Sequence, residues 1–385
     1  VTPAESAPRT ALMVHPSVEL YGSDRMFVES VAALIEHEWR VVVALPGEGD
    51  LARLLRGAGA DVRLCPTPVL RKAALRPAGF ARLALEAARA VRPMLRLARA
   101  VRPDAVYINT VTVPLWSALS RLMGFPVVAH VHEAEDEVPK LVRQALAAPL
   151  LAATTVVANS EASARSVVTA IPRLGPRTQV IYNGVAGPQN ASPVRQRPHD
   201  PLRLVLVGRL SPRKGTDVAI RAVRRILDAG QSATLRLVGS AFTGYEWFVD
   251  QLHDQVRDLG LTGQVRFDGF TPDVWQAYAE ADVALVPSRV EPFGNTAVEA
   301  QLAGIPVVVT DAQGLPETVE GGRYGLVVPR DDDAALADAV LSIVRDWPAA
   351  SARAEAAREA AEKRFSPATY RSAIADAVAQ ACAAQ

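Results

Sequence analysis

Residues 203–217 read Arg203-Leu204-Val205-Leu206-Val207-Gly208-Arg209-Leu210-Ser211-Pro212-Arg213-Lys214-Gly215-Thr216-Asp217. The run Leu204–Val207 is too short for a helix and apolar on both faces, which predicts a strand buried on both sides. Gly208 turns the chain, cations follow, and a helix is expected to begin near Thr216. A buried strand feeding a helix through a short glycine loop is the repeating half of a parallel α/β sheet.

The same pattern extends in both directions. Before it, strands are expected at Ala11–His15, Val41–Leu45, Val62–Cys65, Ala105–Asn109, Val127–Val131, Thr155–Ala158 and Gln179–Tyr182. From Arg203–Val207 onward they are expected at Thr234–Val238, Val265–Phe267, Val283–Val286, Val307–Thr310 and Gly325–Val328. Helical stretches separate most of them, so the fold class is α/β with parallel sheets. Gly187–Pro201 holds four prolines and few large apolar residues, and reads as a linker. The expected organisation is therefore 1–186 as one doubly wound domain, 187–201 as linker, and 202–365 as a second. Residues 366–385 would form a closing helix, for which packing back on the first domain is one option the sequence itself does not decide. Residues 349–364, rich in Ala, Glu and Arg, read as an exposed helix. In doubly wound sheets ligands bind beyond the C-terminal strand ends, so two such domains would enclose a cleft there.

That placement gives Arg209 and Lys214 a meaning. Arg grips phosphate oxygens with a planar fork, and Lys adds a mobile point charge. Such a pair also occurs on ordinary surface loops. A second segment strengthens the anion reading: Glu291-Pro292-Phe293-Gly294-Asn295-Thr296-Ala297-Val298-Glu299. Pro292 and Gly294 keep Glu291 on a loop, Asn295 is positioned to cap the next helix, and Glu299 falls in its first turns. Helix N-termini attract anions. Two carboxylates around one such terminus suit a ligand that is part phosphate and part sugar, because carboxylates accept hydrogen bonds from hydroxyls.

In the first half, Gly22-Ser23 follows the first strand, where a glycine permits close backbone approach or simply an ordinary turn. His132, in His130-Val131-His132-Glu133, ends the fifth strand and reads either as a substrate-contacting group or as a rim histidine. His130, His132, Glu133, Glu135 and Asp136 are dense, yet their spacing matches no standard metal site. Neither a Gly-x-Gly-x-x-Gly nor a Gly-x4-Gly-Lys-Ser/Thr motif occurs, which removes the main support for nicotinamide and P-loop readings.

Lys plus Arg number 42 and Asp plus Glu 41, a balance that argues against a general nucleic-acid binder. Cys65 and Cys382 stand far apart without His partners, so neither a zinc nor a redox motif is expected. Residues 1–10 show no apolar signal core, and a cytosolic setting is the expectation.

Taken together, these residues resemble glycosyltransferase family 4, whose members adopt the GT-B fold of two Rossmann-like domains. The likeness rests on Gly22-Ser23, His132, Asn183-Gly184-Val185, Gly208-Arg209 through Lys214-Gly215, Glu291 through Glu299, and Ala303-Gly304-Ile305-Pro306-Val307. It implies a retaining transferase that moves a sugar from a UDP- or GDP-linked donor without metal or other cofactor. Arg209 and Lys214 would neutralise the diphosphate, and Glu299 would take the ribose hydroxyls. Glu291, with the amides of Phe293, Gly294 and Asn295, would hold sugar hydroxyls, while the amides of Thr296 and Ala297 would lie near the phosphates. Gly22 and Ser23 would close on the donor and His132 would sit near its anomeric carbon. Gly208, Asn183, Gly239 and Phe270 complete the implied donor site, the last two around the base. Ser23 departs from the second glycine many members carry, and Ala186 from their Asp. A nucleotide-sugar epimerase of the same architecture and a non-catalytic nucleotide-sugar-binding protein are the competing readings. An epimerase would lack the Glu-x7-Glu layout, and the intact set of four charged residues argues against a decayed enzyme.

The acceptor is expected to be a saccharide or a lipid-linked molecule. From Arg71 to Arg102 nine cations accompany one acid, Glu86, so this stretch is +8 and the rest of the chain −7. Arg89, Arg92, Arg96 and Arg99 form one helical stripe, with Pro93 expected to split the region into two helices. Such a face attracts anionic lipid by roughly 1 kcal/mol per cation at the surface. This would place the protein on the inner face of the plasma membrane; a merely solvated face is the alternative.

Overall fold

The computed structural model describes residues 8–19, 22–70, 77–134, 138–241 and 244–384. Arg71, Lys72 and Arg76 of the basic stretch, and Glu135 and Asp136 of the acidic cluster, lie outside the described residues. The chain divides into two compact units, one of residues 1–184 with 367–385 and one of 185–366.

In the first unit seven strands, β1 (Thr10–Val14), β2 (Arg40–Leu45), β3 (Asp61–Leu64), β4 (Ala105–Ile108), β5 (Val127–Val131), β6 (Thr155–Ala158) and β7 (Thr178–Val180), form one sheet. Its order is β3-β2-β1-β4-β5-β6-β7, parallel throughout. Helices α1 (Gly22–Glu36), α2 (Asp50–Gly57), α3 (Pro77–Val101), α4 (Pro114–Leu122), α5 (Lys140–Ala147) and α6 (Glu161–Ala170) lie between the strands in sequence. The period-2 alternation of β1 divides its side chains between two cores. Ala11 and Met13 join Phe27, Val31 and Leu34 of α1, whereas Leu12 and Val14 join Met94 of α3 and Trp116 of α4. Both faces of the central strands are buried, which explains why they are largely apolar, whereas the edge strands β3 and β7 are partly exposed and carry polar residues.

The second unit repeats the plan. Strands β8 (Leu202–Val207), β9 (Ala233–Val238), β10 (Val265–Gly269), β11 (Val283–Val286), β12 (Val307–Thr310) and β13 (Leu326–Val328) run parallel in the order β10-β9-β8-β11-β12-β13. Its helices are α7 (Thr216–Asp228), α8 (Glu246–Asp258), α9 (Trp275–Ala279), α10 (Asn295–Leu302), α11 (Leu315–Thr318), α12 (Asp333–Arg345) and α13 (Trp347–Arg364). Leu204 and Leu206 pack on Val218, Val223 and Ile226 of α7, while Val205 faces the opposite core with Ala297 and Ala300 of α10. The last helix, α14 (Pro367–Ala383), belongs to the first unit.

Three expectations about local structure are corrected. Pro93 does not divide the basic region, because α3 runs through it as one helix. Helix α13 is half-buried rather than exposed: Ala350, Ala354, Ala357 and Ala361 form an inward face of small side chains. Asn295 does not cap α10; the cap position is Gly294 in left-handed conformation, and Asn295 is already helical.

The proline-rich stretch 187–201 contains no helix or strand and is anchored to the second unit. The buried Asp282 carboxylate accepts hydrogen bonds from His199 Nδ1 at 2.8 Å and from the amides of His199 and Arg203, and it pairs with Arg195 at 3.2 Å. The Arg195 carbonyl in turn accepts from Trp347 Nε1 and Ser351 Oγ, both at 2.9 Å.

Candidate functional site

The second sheet brings most of the expected residues to its C-terminal edge. Three glycines end adjacent strands there. Gly208 follows β8, Gly239 follows β9 and Gly269 ends β10; the Gly239 amide donates to the Gly269 carbonyl at 2.7 Å, and the Gly208 amide to the Val238 carbonyl at 2.9 Å. A Cβ on Gly239 would stand 1.9 Å from the Gly208 oxygen, so these strand ends approach closely only because side chains are missing. The Arg209 amide lies 3.6 Å from that same Cβ position. Phe270, the next residue after this edge, is exposed.

One strand over, the loop after β11 carries Glu291. Lys214 forms an ion pair with the Glu291 carboxylate, to which Ser288 Oγ also donates at 3.2 Å. The Lys214 stem passes 3.7 Å from the Cβ position of Gly208, so glycine there gives the lysine its path. Gly215 sits left-handed at φ 65°, with a hypothetical Cβ 1.9 Å from the Pro287 oxygen. The two loops thus lie against each other. A charge cluster locks them: Arg289 forks onto Asp217 at 2.7 and 2.8 Å, donates to the Pro212 carbonyl at 2.6 Å and reaches Asp331 at 2.5 Å. The Asp331-Asp332-Asp333 triplet is structural. Asp332 caps α12 through the Ala335 amide, and Asp333 pairs with Arg221 and Arg225.

Helix α10 supplies the rest. Gly294 must remain glycine, since φ is 111° and a Cβ would meet Leu315 Cδ2 at 2.4 Å. Phe293 is buried on Phe365 with ring centroids 5.6 Å apart, which leaves only its main chain to meet a ligand. The Ala297 amide, in the first turn of α10, donates to the Gly294 carbonyl at 3.0 Å. Thr296 Oγ1 is buried with no hydrogen-bond partner. One Glu299 carboxylate oxygen accepts from Tyr278 OH at 3.1 Å. Burial, reinforced by Glu299, holds the Tyr278 hydroxyl well above its ordinary pKa, so it remains a donor.

His132, Gly22, Ser23 and Asn183 belong to the first unit. Gly22 and Ser23 open α1, and Asn183 is buried near the end of the unit. His132 is linked to Ser23, at the start of α1, by a residue that sequence reasoning passed over. Asn109 Nδ2 donates to the Ser23 carbonyl at 3.3 Å, and Asn109 Oδ1 lies 2.9 Å from His132 Nε2. Beyond it stand His15, 3.1 Å from Asn109, and Asp24, 2.7 Å from His15. The available signal was three polar residues, His15, Asn109 and His132, each placed just past an apolar strand. Burial pushes the His132 pKa down to about 3, with His15 adding to the effect and Asp24 opposing it. Glu133 accepts from Thr110 Oγ1 at 2.8 Å and from the His132 amide at 3.0 Å. Among the described residues no group of three or more His, Cys, Asp or Glu side chains is arranged to hold a metal ion.

Two Rossmann-like units, each built on a parallel sheet, define the GT-B class. The family model for glycosyl transferases group 1 matches residues 189–363, and that for glycosyltransferase family 4 matches residues 21–186. The chain belongs to this family. It is 34% identical over 248 residues to D-inositol 3-phosphate glycosyltransferase 1 of Catenulispora acidiphila, covering 59% of each protein. It is 35% identical over 182 residues to the glycogen synthase of Mycobacterium tuberculosis, covering 47% of this chain and 43% of that one. The chain thus spans only about half the length of these curated relatives. The crystal structure of Anabaena HepE in complex with UDP superposes with a TM-score of 0.79 at 26% identity, over 97% of this chain and all of that one. The same protein with UDP-glucose gives a TM-score of 0.78 at 26% identity, over 96% and 99%.

Proposed function

We propose that the protein is a retaining, metal-independent glycosyltransferase that moves a sugar from a UDP-linked donor to a hydroxyl of a saccharide or lipid-linked acceptor. The observation that carries this is the assembly of Lys214, Glu291 and the Gly294 turn at the edge where β8, β9 and β11 end. Solved relatives holding UDP and UDP-glucose support uracil as the base.

In this reading Arg209 and Lys214 face the diphosphate. Cleaving the bond between sugar and phosphate loads negative charge onto the leaving group, and cations already in place stabilise that charge as it grows. Diphosphate competing for Lys214 would release Glu291 to accept from sugar hydroxyls, so the ion pair would exchange partners on binding. Glu299, held by Tyr278, would take the ribose hydroxyls. The acceptor hydroxyl would attack the anomeric carbon on the face the diphosphate leaves, passing its proton to a leaving phosphate oxygen. Neither glutamate then acts as a glycosidase acid or base. The exposed cations of α3 would hold the protein on the cytoplasmic face of an anionic membrane, beside a lipid-linked acceptor.

A thermal-shift panel tests the donor: UDP and UDP-glucose should raise Tm more than GDP or GDP-mannose, equally with EDTA present. Proton NMR of the product should show the donor's anomeric configuration retained. No shift with any nucleotide, or an inverted product, would contradict the proposal.

A further inference from the structure

We propose that Asp24, His15 and Asn109 are positioning residues for His132, fixing its ring as the Nε2–H tautomer so that Nδ1 is left as a hydrogen-bond acceptor for a substrate hydroxyl. This rests on the function proposed above for the part played by substrate, but the tautomer itself follows from this chain's own contacts.

The direction of the chain of hydrogen bonds is set in its middle. The Ser23 carbonyl can only accept, so the Asn109 atom 3.3 Å from it must be the amide nitrogen. The other amide atom, 2.9 Å from His132 Nε2, is then the oxygen, which also can only accept. His132 Nε2 must therefore carry the hydrogen. The second hydrogen of the Asn109 nitrogen meets His15 Nδ1 at 3.1 Å, which makes that nitrogen an acceptor. His15 Nε2 then carries the hydrogen it donates to Asp24 Oδ1 at 2.7 Å. Each link dictates the next, as in the carboxylate–imidazole arrangement that orients a catalytic histidine.

Burial makes the arrangement rigid. Asp24, His15 and Asn109 are 3%, 2% and 1% exposed, so water offers no competing partners. Phe27 stacks on the His15 ring at 4.7 Å and 16°, and His130 packs against the His132 ring at 4.0 Å. The strand order places the three links side by side, since β1, β4 and β5 are neighbours. A neutral imidazole with hydrogen on Nε2 has its lone pair on Nδ1, and protonation would remove it. Among the described residues, the titratable groups around His132 are His15 and Asp24 across Asn109, His130 on its ring face, Tyr107 and Tyr370 beside His130, and Glu133 on its own amide. The low pKa of His132 keeps the lone pair in place throughout the neutral range.

Nitrogen-15 NMR of the full chain with labelled histidine reads the tautomer without any activity. The His132 signals, assigned by their loss in His132→Gln, should show the Nε2–H pattern in the wild type and a mixture in Asn109→Ala. A wild-type Nδ1–H pattern would overturn the proposal. Steady-state kinetics with UDP-glucose supply the second arm. Asp24→Ala should lower kcat about 10- to 100-fold with the donor KM changed far less, and Asp24→Asn, which still offers an accepting oxygen to His15, should recover part of the loss. Asn109→Asp places a carboxylate beside His132 and should raise its pKa, giving turnover a new fall on the acid side that the wild type lacks. Equal damage from Asp24→Ala and Asp24→Asn, or an unchanged pH profile in Asn109→Asp, would overturn the relay. A wild type that transfers no sugar would overturn the transferase reading alone, leaving the NMR result to decide the tautomer.

Discussion

The Lys214 ammonium and the Glu291 carboxylate, 77 residues apart in sequence, form an ion pair at the edge of the second sheet with side chains 25% and 14% exposed. If diphosphate replaces Glu291 as the partner of Lys214, the two residues are coupled in turnover. Lys214→Ala and Glu291→Gln should each lower kcat/KM about 100-fold, and the double variant should lose much less than the product of the two. Their effect on folding stability should stay near 1 kcal/mol, because the pair is partly solvated. Independent, fully multiplicative losses would show that the pair does not exchange partners.

Gly215 and Gly230 both adopt positive φ, at 65° and 85°, but only Gly215 faces an obstruction, the Pro287 oxygen. Gly230→Ala should therefore cost about 1 kcal/mol in chemical denaturation, for backbone conformation alone. Gly215→Ala should cost about 3 kcal/mol or more, since the 211–217 and 287–291 loops must separate. Similar costs for the two would mean that the loops do not press together as described.

Asp217 carries the acid sensitivity of this clamp. Burial would raise its pKa, but the Arg289 and Arg221 guanidiniums outweigh burial and hold the carboxyl below its ordinary 3.8. A lowered folded-state pKa contributes stability that is complete above the unfolded value and is lost as pH falls through the folded one. Tm should therefore drop as pH is taken below about 4, and Asp217→Asn should lose stability at neutral pH while flattening that acid-side fall. An acid limb identical in the two proteins would assign it to other carboxylates.

Arg89, Arg92, Arg96 and Arg99 are all exposed on α3, and the N-terminal half of the same helix also exposes Phe80 and Leu85. Sedimentation with vesicles containing anionic lipid should capture the protein, and about 1 M salt should release it. Replacing the four arginines with Gln should abolish capture and leave Tm essentially unchanged. Equal partitioning onto neutral vesicles would refute an electrostatic attachment.

All thirteen expected strands occur among the described residues, with ends shifted by no more than two positions, because burial on both faces leaves a strong apolar signal in the central strands and β-branched residues mark most of the others. Helix termini and surfaces were less legible. Pro93 breaks a helix by local rules, yet α3 accommodates it. The inner face of α13 is alanine, which a count of charges does not register. At the candidate site the glycines and Glu291 stood out, being local. The Lys214–Glu291 pair and the Asp24–His15–Asn109–His132 chain did not, since each joins residues from different strands whose adjacency comes from sheet order rather than from spacing in the sequence.

Helix α14 fills the first unit's core with Tyr370, Ile374, Ala375, Val378 and Ala381, and Tyr370 OH meets Ser30 Oγ at 2.6 Å. At Gly184 a Cβ would stand 2.9 Å from Pro367 Cα, so this seam is tight where α14 begins. The first unit's core is thus completed by a segment that is translated only after the whole of the second unit. The second unit, contiguous from 185 to 366, has all its parts as soon as it leaves the ribosome, whereas the first must wait with an apolar face uncovered. Nascent chains stalled before Pro367 would present that face to chaperones and proteases, so the seventeen-residue helix that follows the second unit in sequence decides when the first can close.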